Sequence, residues 1–204
     1  MKVGVLASGA GTNLQAILDH VHGREGVEVV AVGSDKPEAQ ALERARAAGV
    51  ESAVFARDAF PDRCARDVAM AEWLVEQGAG LVVLAGYMQL LDAHFLSRFP
   101  QRVINVHPAL LPAFPGIGAV EQAIEYGVKV FGVTVHFVDE GIDSGPIILQ
   151  QAVELPEVTD AAAVRDVLRP IEHELLTGAV RLIASGTVRP DPSHPRRVLV
   201  KGTP

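Results

Sequence analysis

The chain has 204 residues, 49% of them hydrophobic and 21% charged, with 5% aromatic and a formal net charge of −7. That length and apolar fraction suit one large domain with an aliphatic core, and the acidic balance argues against a general nucleic-acid binder. The single cysteine, Cys64, excludes an intramolecular disulfide and a Cys-rich zinc site. No apolar run reaches membrane-spanning length and the N-terminal run is too short for a signal peptide, so a soluble cytoplasmic protein is expected.

Strand and helix patterns alternate along the first half. Residues 2–7 read as a strand, 13–21 as a helix, 27–33 as a second strand and 37–48 as a second helix. Residues 53–55 are short and extended, and 62–76 form a long helical pattern with Val68, Trp73 and Leu74 on its apolar side. The run Leu81-Val82-Val83-Leu84-Ala85 is apolar on both faces, the mark of a parallel strand covered on both sides. A helix at 92–98 and a strand at 102–106 follow. This alternation predicts an α/β fold with a doubly wound, mostly parallel sheet. The pattern then changes: a helix at 119–126 precedes strands at 129–138 and 147–153, whose short connection makes an antiparallel pair in the C-terminal half. Thr159-Asp160 can cap a helix running to 184, which Pro170 should kink or divide. Residues from 186 onward, rich in proline and basic side chains, read as an irregular or extended surface tail.

Ala7-Ser8-Gly9-Ala10-Gly11-Thr12-Asn13 lies between the first strand and the first helix. Small residues let the backbone approach an anion, and the helix start supplies amide donors. A dinucleotide fingerprint, with Asp35 on a ribose, is the obvious rival, but Leu14 stands where its third glycine belongs. A monophosphate site fits better; a tight structural turn is the plainer alternative.

Asn105 and His107 are two apart at the carboxyl end of a strand, so an extended backbone points them to one side. An amide and an imidazole there, with the Asp143 carboxylate returning later, can hold and protonate a carbonyl turning tetrahedral. Singly, each has an ordinary reading: a strand-end amide, a hydrogen-bonded turn histidine, an aspartate in a turn. His136 alternates with Val135 and Phe137, reads as facing the site, and fits a supporting or core role better than direct catalysis. His20, His22, His94 and His194 read as surface residues.

Four segments occur in order: Ala7-Ser8-Gly9-Ala10-Gly11-Thr12-Asn13-Leu14-Gln15, Leu84-Ala85-Gly86-Tyr87-Met88, Asn105-Val106-His107-Pro108-Ala109-Leu110-Leu111-Pro112 and Asp143-Ser144-Gly145-Pro146. Together they resemble the phosphoribosylglycinamide formyltransferases of the formyltransferase superfamily, over residues 1 to about 184. The resemblance implies a Rossmann-like formyltransferase fold and formyl transfer from 10-formyltetrahydrofolate, as co-substrate, to the amine of 5′-phosphoribosylglycinamide. It assigns catalysis to Asn105, His107 and Asp143, with no metal. It places Gly11, Thr12 and Asn13 at the phosphate, Glu172 at the ribose hydroxyls and Arg169 near the phosphate. It sets Met88, Gln89, Leu90 and Leu91 against the pterin ring, Ile142 on the opposite wall and Arg63 near the folate carboxylate tail. The organisation implied is one domain over 1–204, with a phosphate-binding half at 1–100, a catalytic and folate half at 101–185 and a tail at 186–204. Its partners are small molecules, not nucleic acid or membrane, and it acts as a monomer or homodimer.

The chain departs from the pattern at three positions: Gln89 where many relatives have Arg, Ala109 where many have Ser, and Val120 where several have His. Methionyl-tRNA formyltransferase would need a further basic domain, and formyltetrahydrofolate hydrolase carries a different first loop. Sugar-nucleotide formyltransferases fit that loop less well, and a pure nucleotide or folate binder would not need the Asn105, His107 and Asp143 set. A nicotinamide-dependent dehydrogenase is the remaining alternative.

Overall fold

The computed structural model describes residues 1–194 and 196–200 and divides into two compact units, the first Met1–Asn105 and the second beginning at Val106. The first unit alternates β1 (Lys2–Leu6), α1 (Thr12–His20), β2 (Glu28–Ser34), α2 (Gln40–Ala47), β3 (Glu51–Val54), α3 (Arg63–Glu76), β4 (Leu81–Leu84) and α4 (Ala93–Arg98). It ends within β5 (Val103–His107). Every strand pair in it is parallel, in the order β3-β2-β1-β4-β5. The chain winds outward from β1 to β3 and then returns to β4 on the other side of β1. Strand order therefore reverses between β1 and β4, the place where open α/β sheets hold ligands beyond the strand ends. The loops leaving those two strands are the glycine-rich loop and the segment through Met88.

The doubly wound parallel sheet is as expected, and its physical basis is visible in β4, whose four residues are all buried. Aspartates set two helix starts: Asp62 Oδ1 accepts from the Ala65 N–H at 2.8 Å and Asp92 Oδ1 from the Phe95 N–H at 2.9 Å. α2 begins three residues later than its pattern suggests, after a turn through Pro37. His22 is half-buried rather than on the surface, because its Nδ1 accepts the Val29 N–H at 3.0 Å.

The second unit holds α5 (Ala119–Tyr126), β6 (Val130–Phe137), β7 (Ile147–Glu154) and α6 (Ala161–Ala184). β6 and β7 are the expected antiparallel pair, and α6 packs on both. Asp160 caps α6 through the N–H groups of Ala162 and Ala163. Of the two outcomes expected of Pro170, a kink or a division, it does not divide this helix. Val164 and Leu168 before it, and Leu176, Ala179 and Val180 after it, are fully buried, and this packing outweighs a local cost of about 3 kcal/mol.

The tail is also more ordered than expected. β8 (Val188–Pro190) pairs antiparallel with β9 (Val198–Val200). The turn between them is set by Asp191, whose Oδ1 accepts from both the N–H and the hydroxyl of Ser193. Among the described residues no helix is long and apolar enough to cross a membrane.

Gly132 shows how closely the β6 backbone is approached. A Cβ there would stand 2.4 Å from the Gln151 carbonyl oxygen and 2.5 Å from Leu110 Cδ2. Gly132→Ala is expected to lower stability by about 1–3 kcal/mol, read as a reduced urea midpoint at an unchanged slope.

Candidate active site

The most concentrated polar arrangement in the second unit centres on Asp143. Its Oδ2 lies 3.3 Å from His107 Nδ1 and its Oδ1 lies 3.5 Å from His136 Nε2. The Gly116 N–H donates to the same Oδ2 at 2.7 Å. Asp143 adopts a left-handed backbone, φ 48°, which aspartate tolerates better than most residues. That conformation belongs to the turn between β6 and β7, and it aims the carboxylate at the two rings.

The opposite nitrogens of both rings face carbonyl oxygens. His107 Nε2 is 2.8 Å from the Phe114 oxygen, and His136 Nδ1 is 2.8 Å from the Phe137 oxygen. A carbonyl can only accept, so those nitrogens carry protons, and the remaining nitrogen of each ring then meets an acceptor too. The Asp143 carboxylate thus faces the remaining nitrogen of both rings. Burial disfavours the Asp143 anion, but the His136 hydrogen bond, the Gly116 N–H and the charges of both rings outweigh it and hold its carboxyl at about 2.

The loop after His107 is clamped by a buried hydroxyl. Thr134 Oγ1 donates to the Ala109 carbonyl at 2.7 Å and accepts from the Leu111 N–H at 3.2 Å and from Gln150 Nε2 at 2.9 Å. Gln150 Nε2 also donates to the Leu111 carbonyl at 2.9 Å. Ala109 contributes only its backbone here, and Val120 is buried within α5. On α6, Arg169 is exposed and paired with Asp166 at 3.1 Å, while Glu172, three residues on and so on the same helix face, is half-buried. Ile142, beside Asp143, is exposed.

In the first unit the glycine-rich loop turns its carbonyls backward. The Gly9 oxygen accepts from the Ala41 N–H at 3.1 Å and the Ala10 oxygen from Arg44 Nε at 2.8 Å. Gly11 starts α1 at φ 69°, and a Cβ there would meet Ala41 Cα at 2.8 Å, so only glycine fits. Gly11 also brings no side-chain cap to the helix start, which Thr12 and the buried Asn13 continue. Ser8 ties this loop to the next: its N–H donates to the Gly86 carbonyl at 3.1 Å and its Oγ accepts the Met88 N–H at 2.9 Å. Gln89 Nε2 donates to Asp35 Oδ2 at 3.0 Å. Met88 and Leu90 expose their side chains, Leu91 is half-buried, and Arg63 is exposed at the first position of α3.

Asn105 is half-buried on β5, two residues before His107. Of the residues expected at the site, His107 and Asp143 are thus brought into contact, with His136 in the supporting place foreseen for it. The pair Arg66 and Asp67, next to each other on α3, was not foreseen. Arg66 is 2% and Asp67 0% exposed, and Arg66 Nε and Nη2 both donate to Asp67 Oδ1, at 2.9 and 2.7 Å. Charged neighbours on an otherwise amphipathic helix normally read as a solvated face; only the absence of an apolar residue at both positions of the buried stripe betrays them.

The formyl transferase family model matches residues 1–180. The chain belongs to the formyl transferase family. It is 44% identical over 181 residues to phosphoribosylglycinamide formyltransferase of Mycobacterium tuberculosis, covering 89% of this chain and 84% of that protein. It is 38% identical over 189 residues to the trifunctional purine biosynthetic protein adenosine-3 of Bos taurus, covering 92% of this chain but only 19% of that longer protein. The crystal structure of glycinamide ribonucleotide transformylase 1 from Symbiobacterium toebii superposes with a TM-score of 0.93 at 48% identity, over 98% of this chain and 93% of that one. The resemblance drawn from the four motifs is borne out.

Asp143 gives the site a pH signature. Its carboxyl is lower in the folded protein than in the unfolded chain, so its contribution to stability is full above about pH 4 and is lost as pH falls through about 2. The stability difference between the wild type and Asp143→Asn, from urea midpoints between pH 5 and pH 2, is expected to shrink across that interval.

Proposed function

We propose that this protein transfers the formyl group of 10-formyltetrahydrofolate to the amine of 5′-phosphoribosylglycinamide. The observation that carries the reading is the doubly acceptor-facing His107 ring against the Asp143 carboxylate. An imidazole so placed is held in one orientation from both sides, with its Nε2–H the donor that can serve a substrate. When the amine nitrogen attacks the formyl carbon, the carbonyl oxygen gains charge. His107 Nε2–H, now directed at the Phe114 oxygen, turns its hydrogen bond to that oxyanion, and the Asn105 amide donates beside it. A donor aimed at the oxyanion stabilises the tetrahedral species by about 2.7–4 kcal/mol.

The attacking nitrogen must lose a proton and the folate nitrogen must gain one as the carbon–nitrogen bond breaks. Asp143 relays it, directly or through water, for a gain of roughly 10²–10⁴-fold. His136 holds Asp143 from the other oxygen and so keeps the relay aimed. No side chain becomes acylated, because the folate nitrogen is an adequate leaving group.

Substrate contacts follow the same reading. The amide groups of Gly11, Thr12 and Asn13 face the phosphate, since the carbonyls of the preceding residues are engaged by α2. Glu172 meets the ribose hydroxyls, and Arg169 adds a cation near the phosphate once it leaves Asp166. Met88, Gln89, Leu90 and Leu91 read the pterin edge, Ile142 adds an apolar contact to the folate, and Arg63 meets the carboxylate tail. Both ligands are small molecules handled in the cytoplasm, and the chemistry routes no step through a metal.

The decisive assay follows tetrahydrofolate release from 10-formyltetrahydrofolate with and without the ribonucleotide. Release only with it is expected; release without it would mark a hydrolase. Asn105→Ala and His107→Ala should each lower kcat by about 10²–10³-fold, with the ribonucleotide Kd changed little. Unaltered turnover in both variants would refute the assignment.

A further inference from the structure

Residues 88–91 have no regular structure, and among the described residues no backbone–backbone hydrogen bond fixes them. Side chains from beneath hold them instead. Ser8 Oγ takes the Met88 N–H, Asp35 takes the Gln89 amide, and α3 supplies the rest through two charges. Asp67 Oδ2 accepts the Asp92 N–H at 2.9 Å, and Arg66 Nη2 reaches the Leu90 carbonyl at 3.4 Å. The outcome is a segment whose backbone is clamped at Leu90 and Asp92 while Met88 and Leu90 remain 58% and 55% exposed.

A buried ion pair is a poor device for stability alone, because packed apolar residues of similar volume serve as well or better. Here Asp67 Oδ2 and an Nη2–H of Arg66, neither used within the pair, are directed at the backbone of the loop. Burial pushes the Asp67 carboxyl up, against the hydrogen bonds from Arg66 and from the Asp92 N–H. We infer that Arg66 and Asp67 are positioning residues that pre-form the 88–92 segment for its heterocyclic co-substrate. This rests on the reading of that segment as the folate contact. Without the pair, the loop would have to be ordered by the ligand, and that cost would fall on folate affinity alone.

Two single variants test it. Arg66→Lys keeps a cation opposite Asp67 but withdraws the fork that spans Asp67 and Leu90. Asp67→Asn keeps an acceptor for the Asp92 N–H but leaves Arg66 without its counter-charge. In each folded variant the KM for 10-formyltetrahydrofolate should rise between about ten- and a hundredfold, while kcat and the KM for the ribonucleotide stay within about twofold. Hydrogen–deuterium exchange of residues 86–92 should show folate protection in the wild type, and faster exchange without ligand in the variants. If Asp67→Asn fails to fold, Arg66→Lys alone carries the test. Unchanged folate KM with wild-type protection intact would overturn the positioning role and leave the folate reading standing. Absence of folate protection at 86–92 in the wild type would overturn both. Parallel loss of kcat and both KM values would mark a merely structural pair and overturn the proposal.

Discussion

One carboxylate shared between two imidazoles is the constraint on which the polar cluster of the second unit depends. Asp143 cannot be moved without uncoupling His107, His136 and the Gly116 amide together. The left-handed backbone at Asp143, which aspartate tolerates better than most residues, is held in place by those three partners. Local strain and electrostatic gain are therefore two aspects of one turn.

In each unit the loops owe their shape to side chains reaching across from neighbouring elements. Thr134 has one proton and two lone pairs, and all three are engaged by Ala109, Leu111 and Gln150. In the first unit Ser8 performs a comparable task between the loops that leave β1 and β4. Neither hydroxyl is a candidate for chemistry. Each converts an irregular segment, which lacks a ladder of its own, into a surface with a defined set of available amides.

Most of the fold was legible in the order of apolar runs. Leu81-Val82-Val83-Leu84 could only be a strand covered on both faces, and the strand pair around Asp143 followed from its short connection. The family was legible in the four loop motifs, whose order along the chain carried the resemblance. What escaped was decided by contacts between distant residues. Three-residue strands in the tail carry too little periodicity to be seen, and their turn depends on an Asp191 side chain rather than on glycine. The continuity of α6 through Pro170 depends on what lies against it, which no local propensity contains. Arg66 and Asp67 look like surface charges until the 90–92 backbone is in place. His136 was foreseen as a supporting residue, but its partner oxygen could be named only once both ends of the β6–β7 turn were located.

The glycine-rich loop is braced from behind: Arg44 holds the Ala10 carbonyl and is itself steadied by Gln15 Oε1 at 2.8 Å. A loop braced in this way gives up its conformational freedom during folding. If it holds a phosphate as proposed, recognition is a matter of fit rather than of wrapping, and an anion of the wrong geometry meets a mould that will not yield to it.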